Sequence, residues 1–176
     1  MAVADPRYPI GKFTPPATIE LADRKAAISA IAKMPEYLRT ALRDLDTIQL
    51  NTPYRDGGWS IRQVVHHVAD SHGIAFYRVR RALTEDWPAI KTYDEAAWAN
   101  LADSRNAPIN GSLALITALH GRWVELLESM SGADFDKGYD HPEMGRVPLA
   151  RALALYDWHS RHHTAHIVGV SARLGW

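Results

Sequence analysis

The chain has 176 residues, 47% of them hydrophobic and 23% charged, proportions that suit a globular domain with a substantial core. Twenty Lys and Arg balance twenty Asp and Glu, so no basic excess points to nucleic acid and no polybasic patch to a lipid surface. The absence of cysteine removes both a disulfide framework and thiolate metal ligands, and it agrees with a cytoplasmic setting.

Residues 1–9 lack a charged start followed by an apolar run, so no secretory signal is expected, and no segment is long enough to span a bilayer. Pro6, Pro9, Pro15 and Pro16 predict an extended N-terminal arm over residues 1–17, followed by a single helical domain over 18–176. A helix begins near Thr18 and carries Ile19, Ala22, Ala26, Ile28 and Ile31. Pro35 is predicted to interrupt it, because proline disfavours helical geometry in the residue before it. A second, bent piece then covers about Pro35 to Leu45.

The segment Thr52-Pro53-Tyr54-Arg55-Asp56-Gly57-Gly58 is a turn-rich connector. Ser60 and Gln63 fit a capping box, in which each side chain satisfies the other residue's free backbone N–H. From there Ile61, Val64, Val65, Val68, Phe76 and Val79 mark one helical stripe to about Leu83. Residues 84–110 read as irregular, with one short helix near Asp94 to Asn100. A long helix follows from about Ser112 to Met130, and Gly132 lies where a stop is expected. After a loop containing His141-Pro142-Glu143, Pro148 opens the first turn of a final helix. Repeats and convincing strand alternation are absent. The pattern predicts an all-α fold, most simply an up-down four-helix bundle with a long connection.

The final helix carries Trp158-His159-Ser160-Arg161-His162-His163-Thr164-Ala165-His166, which holds four of the nine histidines. Residues four apart share a helix face, so His159 and His163 can aim two imidazoles at one point. Divalent transition metals favour such neutral nitrogens at about 2.0–2.1 Å. Leu153, Tyr156, Ile167 and Val170 define the inward face. His163 falls inside it, His159 and His166 at its edge, and His162 well away. The favoured pair is therefore His159 with His163, or His163 with His166. A third ligand must come from elsewhere, and the Ser60 helix offers His66, His67 and His72. His66 is predicted to point outward; periodicity leaves both His67 and His72 open. A lone inward histidine is more often a hydrogen-bonded core residue, but several converging imidazoles are hard to satisfy without a metal or polar pocket.

The segment Gly58-Trp59-Ser60-Ile61-Arg62-Gln63-Val64-Val65-His66-His67 resembles the first signature of the DinB/YfiT-like superfamily: a tryptophan, a capping hydroxyl residue, and a histidine eight residues after the tryptophan. The closing Trp158–Ile167 segment resembles the second, two histidines four apart on the last bundle helix. Intermediate pieces, among them Leu50–Arg55, Lys91–Glu95, Ala118–His120 with Arg122-Trp123, and His141-Pro142-Glu143, are similar to the YfiT-like branch in order and spacing. The resemblance implies a four-helix bundle, frequent homodimers, and one divalent ion, zinc or nickel, held by His67, His159 and His163.

It also implies a metal-dependent hydrolase acting on a small-molecule substrate through metal-activated water, or else a thiol-dependent transferase, as in relatives elsewhere in the superfamily. A non-catalytic metal-binding protein is the third reading. Asp70 and Glu143 are candidates for a proton-transferring carboxylate, though neither spacing assigns the role. His166 is a candidate partner for a ligating imidazole. Tyr156, Trp158 and His120 are expected to pack. His-Glu-x-x-His, the Walker phosphate loop and the dinucleotide glycine pattern are all absent.

Overall fold

The computed structural model describes residues 5–176; residues 1–4 of the predicted arm lie outside the described residues. The arm makes turns at Asp5–Tyr8 and Tyr8–Gly11, each closed by a 2.9 Å backbone hydrogen bond. It lies against the last helix, where the Trp158 indole donates to the Gly11 carbonyl at 3.2 Å and Phe13 packs on the same ring.

The first helix, α1, spans Leu21–Leu42. It starts later than Thr18 because the Asp23 carboxylate accepts the Glu20 N–H at 2.9 Å, half of a capping box that sets the first turn. Pro35 does not break it, contrary to the sequence expectation. Proline has no N–H to give to the carbonyl four residues back. That carbonyl, on Ile31, instead accepts a 2.8 Å hydrogen bond from Nδ1 of His120. With the orphan satisfied from a neighbouring helix, α1 continues for two more turns.

A one-turn helix, α2 (Thr47–Leu50), leads to α3 (Ile61–Thr84). The capping box at α3 is as expected, with Gln63 N–H bonded to Ser60 Oγ and Ser60 N–H to Gln63 Oε1. The connection after α3 holds two short helices rather than one, α4 (Glu95–Ala99) and α5 (Ala102–Asn106). Next come α6 (Asn110–Ser129) and a short 3-10 turn over Gly132–Asp136.

The loop expected around His141 is instead an antiparallel hairpin of β1 (Gly138–His141) and β2 (Gly145–Pro148), with Tyr139 opposite Val147. Four residues per strand are too few to show alternation against the surrounding turn residues. The last helix, α7 (Leu149–Leu174), ends where Gly175 adopts φ +73°. No helix among the described residues is long and apolar enough to cross a membrane.

The four long helices form the bundle, and their directions follow from their contacts. Arg24 reaches Gly132, Ile31 meets His120, and Arg39 meets Thr117, so α1 and α6 run antiparallel. His66 meets Ser112, His72 meets His120 and Phe76 meets Trp123, so α3 and α6 run parallel. His67 lies against His163 and His72 against His159, so α3 and α7 are antiparallel. The directions in chain order are thus up, down, down, up. The long connection through α4 and α5 carries the chain back so that α6 can start beside the start of α3.

Two apolar clusters fill the bundle. One gathers Phe76, Trp123, Tyr139 and Tyr156; the other gathers Met34, Leu38, Val64, Val68, Ile116 and Ile167. Between them, at one level on three helices, lie His72 on α3, His120 on α6, and His159 and His163 on α7. A polar group buried without a partner costs roughly 1–3 kcal/mol, so this layer is tolerable only if its nitrogens are bonded.

Candidate metal centre

His67 projects from α3, and His159 and His163 project from successive turns of α7. Each offers one nitrogen, and these three nitrogens all lie within 4.8 Å of one another. Ring centroids are 4.4 Å apart for His159–His163, 4.9 Å for His67–His163 and 5.5 Å for His67–His159. Two nitrogens bound tetrahedrally to a common ion sit about 3.4 Å apart at ligand distances of about 2.1 Å. Small side-chain rotations close that difference, so the donor set fits a divalent transition metal. Trp59, the tryptophan that precedes the capping serine, stands 4.8 Å from His67 and covers it.

The electrostatics suit ligation. Burial pushes the His67 imidazolium down to about 4, with His166 adding repulsion. Burial likewise holds His159 and His163 well below the ordinary histidine range, and His67 disfavours charge on both. All three are therefore neutral near pH 7, the form that donates a lone pair.

Of the two positions left open on α3, His67 joins the α7 pair. His72 is fully buried and bonds Nδ1 to Nε2 of His120 at 2.8 Å and Nε2 to Nδ1 of His159 at 2.9 Å. His66 does not point outward: it is buried against the start of α6, bonded to Ser112 Oγ at 2.8 Å and the Ala107 carbonyl at 3.2 Å. His162 is also buried, because Trp158 stacks on it and Tyr8 of the arm approaches its other side. It forms a second cluster with His163 and His166, again with nitrogens within 4.8 Å. His166 bonds Nδ1 to Nδ1 of His163 and Nε2 to the Arg7 carbonyl, both at 3.4 Å, while Tyr54 stacks on its ring.

The carboxylate candidates lie elsewhere. Asp70 has Asp103 and His66 as its charged neighbours, and burial with that like charge raises its pKa. Glu143 is exposed in the hairpin turn and lines a polar cleft with Arg78, Tyr93, Glu95 and His141. Nδ1 of His141 accepts the backbone N–H of Glu143 and Met144, which holds that turn. Tyr156 packs as expected, its ring near His72, Trp123 and His159. Sequence reasoning missed the link from Pro35 through Ile31 to His120. A proline inside an apolar helical stripe was the signal that some donor must replace its N–H.

The sequence pattern of the DinB superfamily matches residues 30–167. A Bacillus mycoides protein with the provisional name metal-dependent hydrolase is 51% identical over 174 residues, which cover 98% of this chain and 99% of the relative. YfiT of Bacillus subtilis, with the same provisional name, is 46% identical over 170 residues, 96% of each chain. Its solved structure, described as a probable metal-dependent hydrolase with an unusual four-helix bundle topology, superposes with a TM-score of 0.95 over 97% of this chain and 98% of that one. The four-helix bundle protein TT2238 shares the fold at 19% identity and a TM-score of 0.56, over 87% of this chain and 99% of its own.

Proposed function

The chain belongs to the DinB superfamily, and on that footing we propose that it is a metal-dependent hydrolase of a small molecule, with one zinc or nickel ion held by His67, His159 and His163. The observation that carries this reading is the convergence of three neutral, largely buried imidazole nitrogens within 4.8 Å. Three protein ligands leave a tetrahedral ion one open position. When bound there, such an ion would lower the pKa of a coordinated water and polarise a carbonyl or phosphoryl oxygen.

The chain's own residues contribute position and environment. His159 and His163 are fixed one turn apart on a rigid helix, and His67 is brought to them by the antiparallel packing of α3 on α7. Trp59 packs beside the His67 ring and Tyr156 beside the His159 ring, which limits how those imidazoles can turn. The names of the Bacillus relatives support hydrolysis as the reaction class. The balanced net charge suits a small substrate better than a polyanion, and a homodimer is the assembly we expect.

Elemental analysis of tag-free protein purified without chelator tests the reading. Wild type is expected to hold close to one zinc or nickel per chain, and His163→Ala to hold almost none. Hydrolysis in a screen of small esters, amides and phosphoesters should vanish on chelation and return with the ion. An absence of metal in both proteins, even after zinc or nickel is added, would overturn the proposal. Turnover that requires an added low-molecular-weight thiol would replace hydrolysis by thiol transfer.

A further inference from the structure

Three histidines and one main-chain carbonyl form a continuous hydrogen-bonded row across the bundle. Nδ1 of His120 lies 2.8 Å from the Ile31 oxygen, Nε2 of His120 lies 2.8 Å from Nδ1 of His72, and Nε2 of His72 lies 2.9 Å from Nδ1 of His159. The rings of His72 and His120 are nearly coplanar, at 14°, with centroids 5.0 Å apart. His120 and His72 are almost entirely excluded from solvent.

The direction of every bond in this row follows from its first member. A carbonyl oxygen only accepts, so His120 Nδ1 carries a proton. In a neutral ring Nε2 of His120 is then an acceptor, and His72 Nδ1 must be the donor to it. By the same step His72 Nε2 accepts, and His159 Nδ1 donates. The nitrogen left without a proton on His159 is Nε2. No carboxylate joins this row among the described hydrogen bonds, and a cationic ring here would be a buried charge without a counter-ion.

We propose that His120 and His72 are positioning residues that lock His159 as its Nδ1–H tautomer, so that the bare Nε2 is presented to the metal, with the carbonyl freed by Pro35 as the anchor. This rests on the metal centre proposed above and adds what prepares it. A histidine ligand usually needs a partner on its other nitrogen, which orients the ring and raises its basicity. Here the partner is an imidazole, itself oriented by another imidazole, and the row ends on the one α1 carbonyl that proline leaves without a helical donor. The second α7 ligand shows the same logic in a looser form. The Arg7 carbonyl fixes His166 as the Nε2–H tautomer, and His166 Nδ1 then accepts a hydrogen bond from the Nδ1–H of His163, both at 3.4 Å.

Long-range 1H–15N correlation spectra of metal-free, 15N-histidine-labelled wild type read the tautomers directly, with assignment by single His variants. His120, His72 and His159 are expected as Nδ1–H forms at pH 7.5. Zinc affinity, read by competition with a chromogenic chelator, is expected to fall roughly 10–100-fold in His120→Leu, the range usual for losing a ligand's supporting partner. His120→Gln keeps an amide N–H for Ile31 and an amide oxygen for His72, and is expected to recover most of that loss. An Nε2–H His159 in the metal-free wild type would overturn the lock, whether or not zinc binds. So would His120→Gln binding as weakly as His120→Leu while both show wild-type circular dichroism. Correct tautomers in a protein that binds no zinc would leave the lock standing and remove the metal reading instead.

Discussion

At Gly138 a Cβ would stand 2.3 Å from the Val147 carbonyl oxygen, 2.7 Å from the Trp87 ring and 2.9 Å from the Pro148 Cα. Two of those neighbours are backbone, so they cannot step aside as a flexible side chain would. Gly138→Ala should therefore destabilise the protein by about 1–3 kcal/mol, the usual cost of overpacking. Urea titration reads this, and zinc affinity should change little, because the hairpin joins α7 at its first turn, where the Leu149 N–H meets the Lys137 carbonyl, well before His159 in the helix. A loss of zinc binding in a folded Gly138→Ala protein would mean that the hairpin positions the histidines. The ligand candidates themselves were legible one residue at a time, since a spacing of four on one helix puts His159 and His163 together in any bundle. His66 and His162 were not. A helical stripe ranks residues by their angle to one apolar face, and it is blind to a second surface. The start of α6 covers His66, and the N-terminal arm covers His162.

The elements were legible where a cap or a long apolar stripe announced them. Ser60 with Gln63 marked the start of α3, and Gly132 the end of α6 to within a few residues. They were illegible where a distant partner decided. The continuity of α1 through Pro35 depends on a histidine 85 residues away in sequence, a donor that no local rule supplies. The arm is the counterpart case: its prolines predict no regular structure, yet Arg7, Tyr8, Gly11 and Phe13 all meet the histidine-bearing side of α7. Deleting residues 1–14 should expose Trp158, His162 and His166, lower the melting temperature by several degrees, and weaken zinc binding by less than His120→Leu does. The arm's Arg7 carbonyl reaches His163 only through His166, over two contacts of 3.4 Å, whereas the buried row meets His159 directly at 2.9 Å. Intrinsic tryptophan emission shifted to the red would report Trp158, and an unaltered affinity would show that the arm only covers the cluster.

At the scale of the whole molecule, the four-helix bundle was legible from periodicity, while its up, down, down, up course was not. Direction is set by where the connection through α4 and α5 returns the chain, and that segment carries no long stripe to read. The bundle's middle layer also ties global stability to pH. Burial holds His67 at about 4 in the folded protein, against about 6.5 when unfolded, and burial lowers His72, His120, His159 and His163 as well. A histidine with a lowered folded pKa takes up its proton more readily in the unfolded chain. Its stabilising contribution is thus complete above about pH 6.5 and is lost as pH falls toward about 4. The charged neighbours named for this layer are themselves histidines, so no carboxylate offsets the trend. Metal-free protein should melt at a nearly constant temperature from pH 8 to 7 and at progressively lower temperatures below about pH 6.5. Zinc at 100 times its dissociation constant should add about 2.7 kcal/mol at pH 7.5 by binding only the folded state. That gain should shrink at pH 5, where protons compete for the same nitrogens, and it should be absent in His163→Ala at every pH. Calorimetry at matched ionic strength measures all of these. A melting temperature that stays flat down to pH 5 without metal would mean that the buried imidazoles find charge-stabilising partners on protonation, and that the layer is less dry than its packing indicates.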